Sequence, residues 1–100
     1  AYIPTGSRIG GRVFLGPNAS LTNDKTPLRT EYKLETITVE DDVTVGSNAT
    51  LMPGITIGEG AFIAGGAVVT KDVPAWHIAK GCPAVFEELP ESLKKPNRLG

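Results

Sequence analysis

The sequence predicts an all-β molecule, a parallel β-helix, and three observations carry that prediction. Large aliphatic residues recur every six positions between Val39 and Val73, at Val39, Val45, Leu51, Ile57, Ile63 and Val69. Two places before each stands a second apolar residue: Ile37, Val43, Ala49, Ile55, Ala61 and Ala67. Glycine follows at Gly46 and Gly58. Six is a poor helical repeat but an even number, so on extended chain every marked side chain points to one face. Each unit is then a short strand and a turn that cannot bury its apolar side alone. Stacked units form one continuous core, as in a solenoid.

The segment from Ala1 to Leu21 has the same rhythm, with Ile3, Ile9, Leu15 and Leu21 in step and Gly10 and Gly16 following. It amounts to roughly one coil. Residues 22–36 break the pattern, since Pro27 and Lys33 stand where aliphatic residues are due. A polar segment of this kind reads as a surface loop, and loops on a rigid scaffold are where function tends to sit. Ile37 to Val73 supplies about two further coils, with Glu40, Asp41, Asp42 and Glu59 at turns as a solvated acidic edge. Asn18 and Asn48 also fall at turns, where asparagine tolerates tight backbone geometry. Both sit in glycosylation sequons, and the turn role is the preferred reading.

The repeat ends after Val73. Pro74, Gly81, Pro83 and Pro90 punctuate the remainder of the chain, and the run from Glu91 to Lys95 has room for one short helical turn after Pro90. The organisation expected is therefore a β-helix over residues 1–83 carrying the loop 22–36, and a C-terminal cap or tail over 84–100.

Composition narrows the function. Ten basic and eleven acidic residues are interspersed and the formal net charge is −1. That argues against nucleic acid and against a polybasic membrane surface. No apolar run approaches the ~20 residues of a membrane span. No charged-then-apolar leader opens the chain, and the single cysteine, Cys82, has no partner for an internal disulfide. Both features fit a cytoplasmic protein. A dinucleotide fingerprint fails at Gly58-Glu59-Gly60, which lacks its third glycine. One histidine and one cysteine do not make a zinc site, so no metal is expected.

With those residues in view, the run VTVGSNATLMPGITIGEGAFIAGGAVVTKDVP followed by GCPA resembles the hexapeptide-repeat acyltransferases. The resemblance implies a left-handed β-helix, a homotrimer and acetyl-CoA as co-substrate, bound in the cleft between subunits. Periodicity alone does not give the hand. The cofactor residues it implies are Ser47, Ala49, Ala64, Gly66, Lys71 and Lys80. Small residues let the pantetheine arm reach backbone groups that bond its amides, and the two lysines would meet phosphates.

The stretch Val13 to Arg29, with its Thr-Asn-Asp and nearby proline, resembles that of sugar-nucleotide N-acetyltransferases. The acceptor implied is an amino group of a nucleotide-linked amino sugar. Asn23 and Asp24 are then the candidate catalytic residues. Asn23 would position the sugar or acyl group, and Asp24 would hold or partly deprotonate the amine. An unshifted carboxylate is a weak base toward an ammonium, so its role is chiefly orienting. His77 reads as structural or as a peripheral cofactor contact, Trp76 as packing for the tail, and Cys82 as inert. Two alternatives remain at this level. One is an O-acetyltransferase of the same scaffold; the other is a non-catalytic trimerisation or regulatory module. The chain is either a C-terminal portion of a longer β-helix or a short member.

Overall fold

A computed structural model describes residues 6–21 and 36–97. Apart from one turn of 3-10 helix at Glu91–Leu93, every regular element among them is a strand. Nine two-residue strands come first: β1 (Arg8–Ile9), β2 (Phe14–Leu15), β3 (Ser20–Leu21), β4 (Thr38–Val39), β5 (Thr44–Val45), β6 (Thr50–Leu51), β7 (Thr56–Ile57), β8 (Phe62–Ile63) and β9 (Val68–Val69). Two five-residue strands follow, β10 (His77–Gly81) and β11 (Ala84–Glu88). No helix among the described residues is long and apolar enough to cross a membrane.

The strands make the three faces of a prism. Face one is β1-β4-β7, face two is β2-β5-β8-β10-β11, and face three is β3-β6-β9. All pairings are parallel except the β10–β11 hairpin. Thr38 aligns with Thr56, Thr44 with Phe62 and Thr50 with Val68, each eighteen residues on, so one coil is three hexapeptides. Arg8 aligns with Thr38 across thirty residues, and the excess over one coil is the segment between β3 and β4. The expected parallel β-helix is the fold found, and its hand is left.

The twelve apolar positions of the repeat are all buried, none more than 5% exposed. Each large one removed from water contributes about 1.5–3 kcal/mol, and they stack as one core. Ile9 is 37% exposed although it stands at an inward position, because it lies in the first described layer.

Three corners join the faces. The third residue of each corner on the first two edges holds a positive φ: Arg12, Asp42, Gly60 and Trp76 on one edge, Asn18, Asn48 and Gly66 on the next. Asn18 and Asn48 thus occupy the tight turns expected of them, at φ 61° and 62°.

Three expectations change. Asp42 is not part of a solvated acidic edge but is 3% exposed. Its carboxylate accepts from Arg12 Nε at 2.6 Å and Nη2 at 2.9 Å, and from the Asn97 N–H at 3.0 Å. Second, stacking does not stop at Val73. Val73 bridges Ile57, and β10 pairs with β8, as a further rung two residues shorter than the rest. The shortened spacing, and a tryptophan in a left-handed turn, hid that rung from a six-residue search. Third, the tail opens as the second strand of a hairpin, and the single helical turn follows at Glu91–Leu93. The turn between β10 and β11 holds Cys82 and Pro83.

Candidate functional site

The small residues singled out in the sequence converge on the edge between faces two and three. There the corners stack as Gly16-Pro17-Asn18, Gly46-Ser47-Asn48 and Ala64-Gly65-Gly66. Hydrogen bonds tie the layers: Asn48 N–H donates to the Pro17 carbonyl at 3.0 Å, and Gly66 N–H to the Ser47 carbonyl at 2.9 Å. The approach is close because there are no side chains in the way. A Cβ on Gly46 would stand 2.5 Å from the Gly65 nitrogen and 2.8 Å from its Cα. At Gly66, which is exposed with φ +75°, a Cβ would meet nothing within 4 Å.

The edge combines small residues with free backbone donors. On the neighbouring edge, two of the four middle N–H groups are taken up by acidic side chains: Gly11 donates to Asp41 Oδ1 at 2.8 Å and Glu59 to Glu40 Oε1 at 3.2 Å. On the small-residue edge the corresponding groups are the N–H of Ser47 and of Gly65, and among the described residues neither has a partner. Successive layers lie about 4.8 Å apart, so the edge offers a short ladder of free donors beside open space. Unpaired amides of this kind seek a carbonyl or an anion.

The six sequence-predicted cofactor residues divide on this frame. Ser47, Ala64 and Gly66 are together on the edge. Lys80 stands one layer on, next to Ala79, whose carbonyl accepts from Ala64 N–H at 2.9 Å. Its ammonium is paired with Glu87 at 3.1 Å, both side chains about half exposed, which is a weak tie. Lys71 sits elsewhere, exposed in the corner between faces three and one. Face three therefore separates Lys71 from Gly66, by at most about 17 Å of extended chain.

Ala49 lies beneath this edge, at the inward position its place in the repeat predicts. Its methyl is fully buried in the core, its N–H donates to Gly46 at 3.3 Å, and its carbonyl accepts from Ser20 at 2.9 Å. The alternation of the strand turned it inward. Asn23 and Asp24 lie outside the described residues.

His77 opens β10 at the other end of face two, with Nδ1 bonded to the Ala75 carbonyl at 2.8 Å. Trp76, beside it, lays its indole over Gly60. Among the described residues, no three His, Cys, Asp or Glu side chains converge as a metal site.

The fold and this edge define a left-handed β-helix of hexapeptide repeats with a small-residue edge, and comparison with known proteins says what it resembles. Residues 36–71 match the model of the bacterial transferase hexapeptide (six repeats). A putative acetyltransferase of Schizosaccharomyces pombe is 42% identical over 84 residues, covering 76% of this chain and 40% of its own length. Among solved structures, a galactoside acetyltransferase in complex with coenzyme A superimposes with a TM-score of 0.75 at 31% identity, over 92% of this chain and 52% of the other. Perosamine N-acetyltransferase of Caulobacter crescentus, a variant holding CoA and GDP-perosamine, gives 0.65 at 28% identity, over 81% and 33%.

Residues 36–71 thus carry the bacterial transferase hexapeptide, and the chain as a whole is similar to hexapeptide-repeat acetyltransferases. It spans about half or less of the length of these relatives.

Proposed function

We propose that the chain is the coenzyme-binding β-helix of an acetyl-CoA-dependent N-acetyltransferase whose acceptor is the amino group of a nucleotide-linked amino sugar. The observation that carries the coenzyme is the pair of unpartnered N–H groups at Ser47 and Gly65, beside the open space over Gly66. The pantetheine arm brings amide carbonyls, and this edge offers donors without side chains in the way. CoA in two of the similar structures supports the assignment. Lys80 and Lys71 would serve its phosphates, Lys80 by exchanging Glu87 for a more highly charged partner.

The acceptor assignment rests on the Thr22-Asn23-Asp24 resemblance and on the nucleotide-linked sugar bound by the perosamine enzyme. In the reaction, the neutral amine attacks the thioester carbonyl and the C–N bond forms. A backbone N–H stabilises the oxyanion. The C–S bond then breaks, and the departing thiolate takes up the proton that the new amide nitrogen releases. Asn23 would position the acceptor and Asp24 would orient its amine. Asn23→Ala and Asp24→Ala should each lower kcat/KM for the true acceptor while leaving the Kd for acetyl-CoA unchanged.

A second reading, transfer to a sugar hydroxyl, is favoured by one observation, the likeness to a galactoside acetyltransferase. One experiment separates them. Acetyl-CoA is titrated into the chain, and thiol release is then followed with amino sugars, nucleotide-linked amino sugars and galactosides. Saturable binding with release on nucleotide-linked amino sugars is the expected result. Release on galactosides alone would favour hydroxyl transfer. Absence of acetyl-CoA binding by the folded protein would overturn the coenzyme assignment.

A further inference from the structure

A solenoid is held by contacts between neighbouring layers, so coupling between its distant rungs is expected to be weak. The C-terminal segment departs from that rule. After β11, Leu89 donates its N–H to the Trp76 carbonyl in the last rung, at 3.0 Å. The chain then doubles back along the stack, past Gly60 and Phe62 of the third rung, to Asp42 and Thr44 of the second. It arrives at Arg12 of the first.

Asn97 makes the far attachment with its side-chain amide and its backbone N–H. Its Nδ2 donates to the Arg12 carbonyl at 2.7 Å and to the Val43 carbonyl at 3.2 Å. Its Oδ1 accepts from Thr44 Oγ1 at 3.3 Å, and its backbone N–H donates to Asp42 Oδ1 at 3.0 Å. Midway, Lys94 fastens the 3-10 turn to Glu88 and Glu91.

We infer that residues 89–97 form an axial strap that couples the last rung to the first, with Asn97 as its latch. The first rung is where such a device has most effect. Its strands join the second rung through three two-residue ladders, and Ile9 and Phe14 remain 37% and 48% exposed. Its only path along the chain to the second rung runs through residues 22–36. The latch closes on the same Asp42 carboxylate that accepts both bonds from Arg12. One acceptor therefore fixes the first rung, the second rung and the tail together. Hydrogen bonds to an ionised group are the stronger kind.

Hydrogen exchange of the Asn97→Ala variant tests this. The amides of Gly10, Phe14 and Gly16, which donate across the first gap to Val39, Val43 and Val45, should exchange about tenfold faster than in the wild type. Those of Thr44, Gly46 and Thr50, which donate across the second gap to Ala61, Ile63 and Ala67, should change less than about threefold. Lys94→Ala, which frees the middle of the strap and touches no atom of the first rung, should shift the first set in the same direction. Acceleration confined to Leu93, Lys94 and Lys95 would overturn the inference. So would equal acceleration of both ladders by both variants.

Discussion

A methyl group added at residue 46 would press on the backbone of Gly65, which is fixed by its neighbours and has no far end to swing aside. Overpacking of this kind costs about 1–3 kcal/mol. Gly46→Ala should therefore lower the urea midpoint, and it should also separate the two layers that carry the free donors, raising the Kd for acetyl-CoA. Calorimetric titration beside equilibrium unfolding checks both halves. Asp42 gives a second residue-scale prediction. Its carboxyl is held below the usual carboxylate range by the Arg12 hydrogen bonds, with the Asn97 N–H adding to them and desolvation opposing. A group whose pKa is lower folded than unfolded stabilises fully above its unfolded value and loses that stabilisation as pH falls through its folded value. The gap in urea midpoint between wild type and Asp42→Asn should be constant above about pH 5 and close as pH falls below about 4. A gap that widens toward acid would contradict the pairing.

At the scale of the element, one side-chain contact between corners joins the shortened fourth rung to the third. Trp76 carries φ 58° and lays its ring over Gly60, which itself holds φ +69°. Gly60→Ala forces the ring away, and Trp76 is the only tryptophan in the chain, so its emission reports the change alone. A red shift with an unchanged far-ultraviolet spectrum is expected. The same logic separates the two lysines. Lys71 has no ion-pair partner among the described residues, whereas Lys80 must leave Glu87 to meet a phosphate. If Lys71 reaches the coenzyme, Lys71→Ala should raise the Kd for acetyl-CoA about tenfold or more, in line with the loss of a charge-assisted contact. Glu87→Gln should lower the Kd modestly by freeing Lys80. Unchanged affinity in Lys71→Ala would place that lysine outside the site.

The whole molecule exposes apolar side chains that a coil stack alone leaves uncovered. Phe14 at 48% and Phe62 at 38% both project from face two, and Ile9 at 37% lies in the first described layer. Phe14 and Phe62 flank Thr44 in register on that face, and apolar side chains grouped on one face favour association. The homotrimer implied by the family resemblance would bury such surface and set the cleft between two chains. Sedimentation equilibrium should give three chains per particle at micromolar concentration, and acetyl-CoA should shift the distribution further toward that species by mass action. A compact monomer with saturable acetyl-CoA binding would show that the edge works within a single chain.

Periodicity set how much of the fold and the site was legible. The β-helix could be read because a six-residue repeat leaves every inward side chain apolar, from Ile37 to Val69, and burial found all of them inside. Ser47, Ala64 and Gly66 could be read as sharing one edge because the turn residues repeat in the same register. The faces, the corners and the small-residue edge were thus written into the order of residues. Each is a property of strands that pair with the next coil, and a local rule suffices. Contacts that run across rungs emerged only in the folded chain. Folding buried Asp42 and carried Asn97 back to Arg12 across eighty-five residues. Those contacts depend on where a non-repeating tail comes to rest, and that is set by its packing against the finished coil.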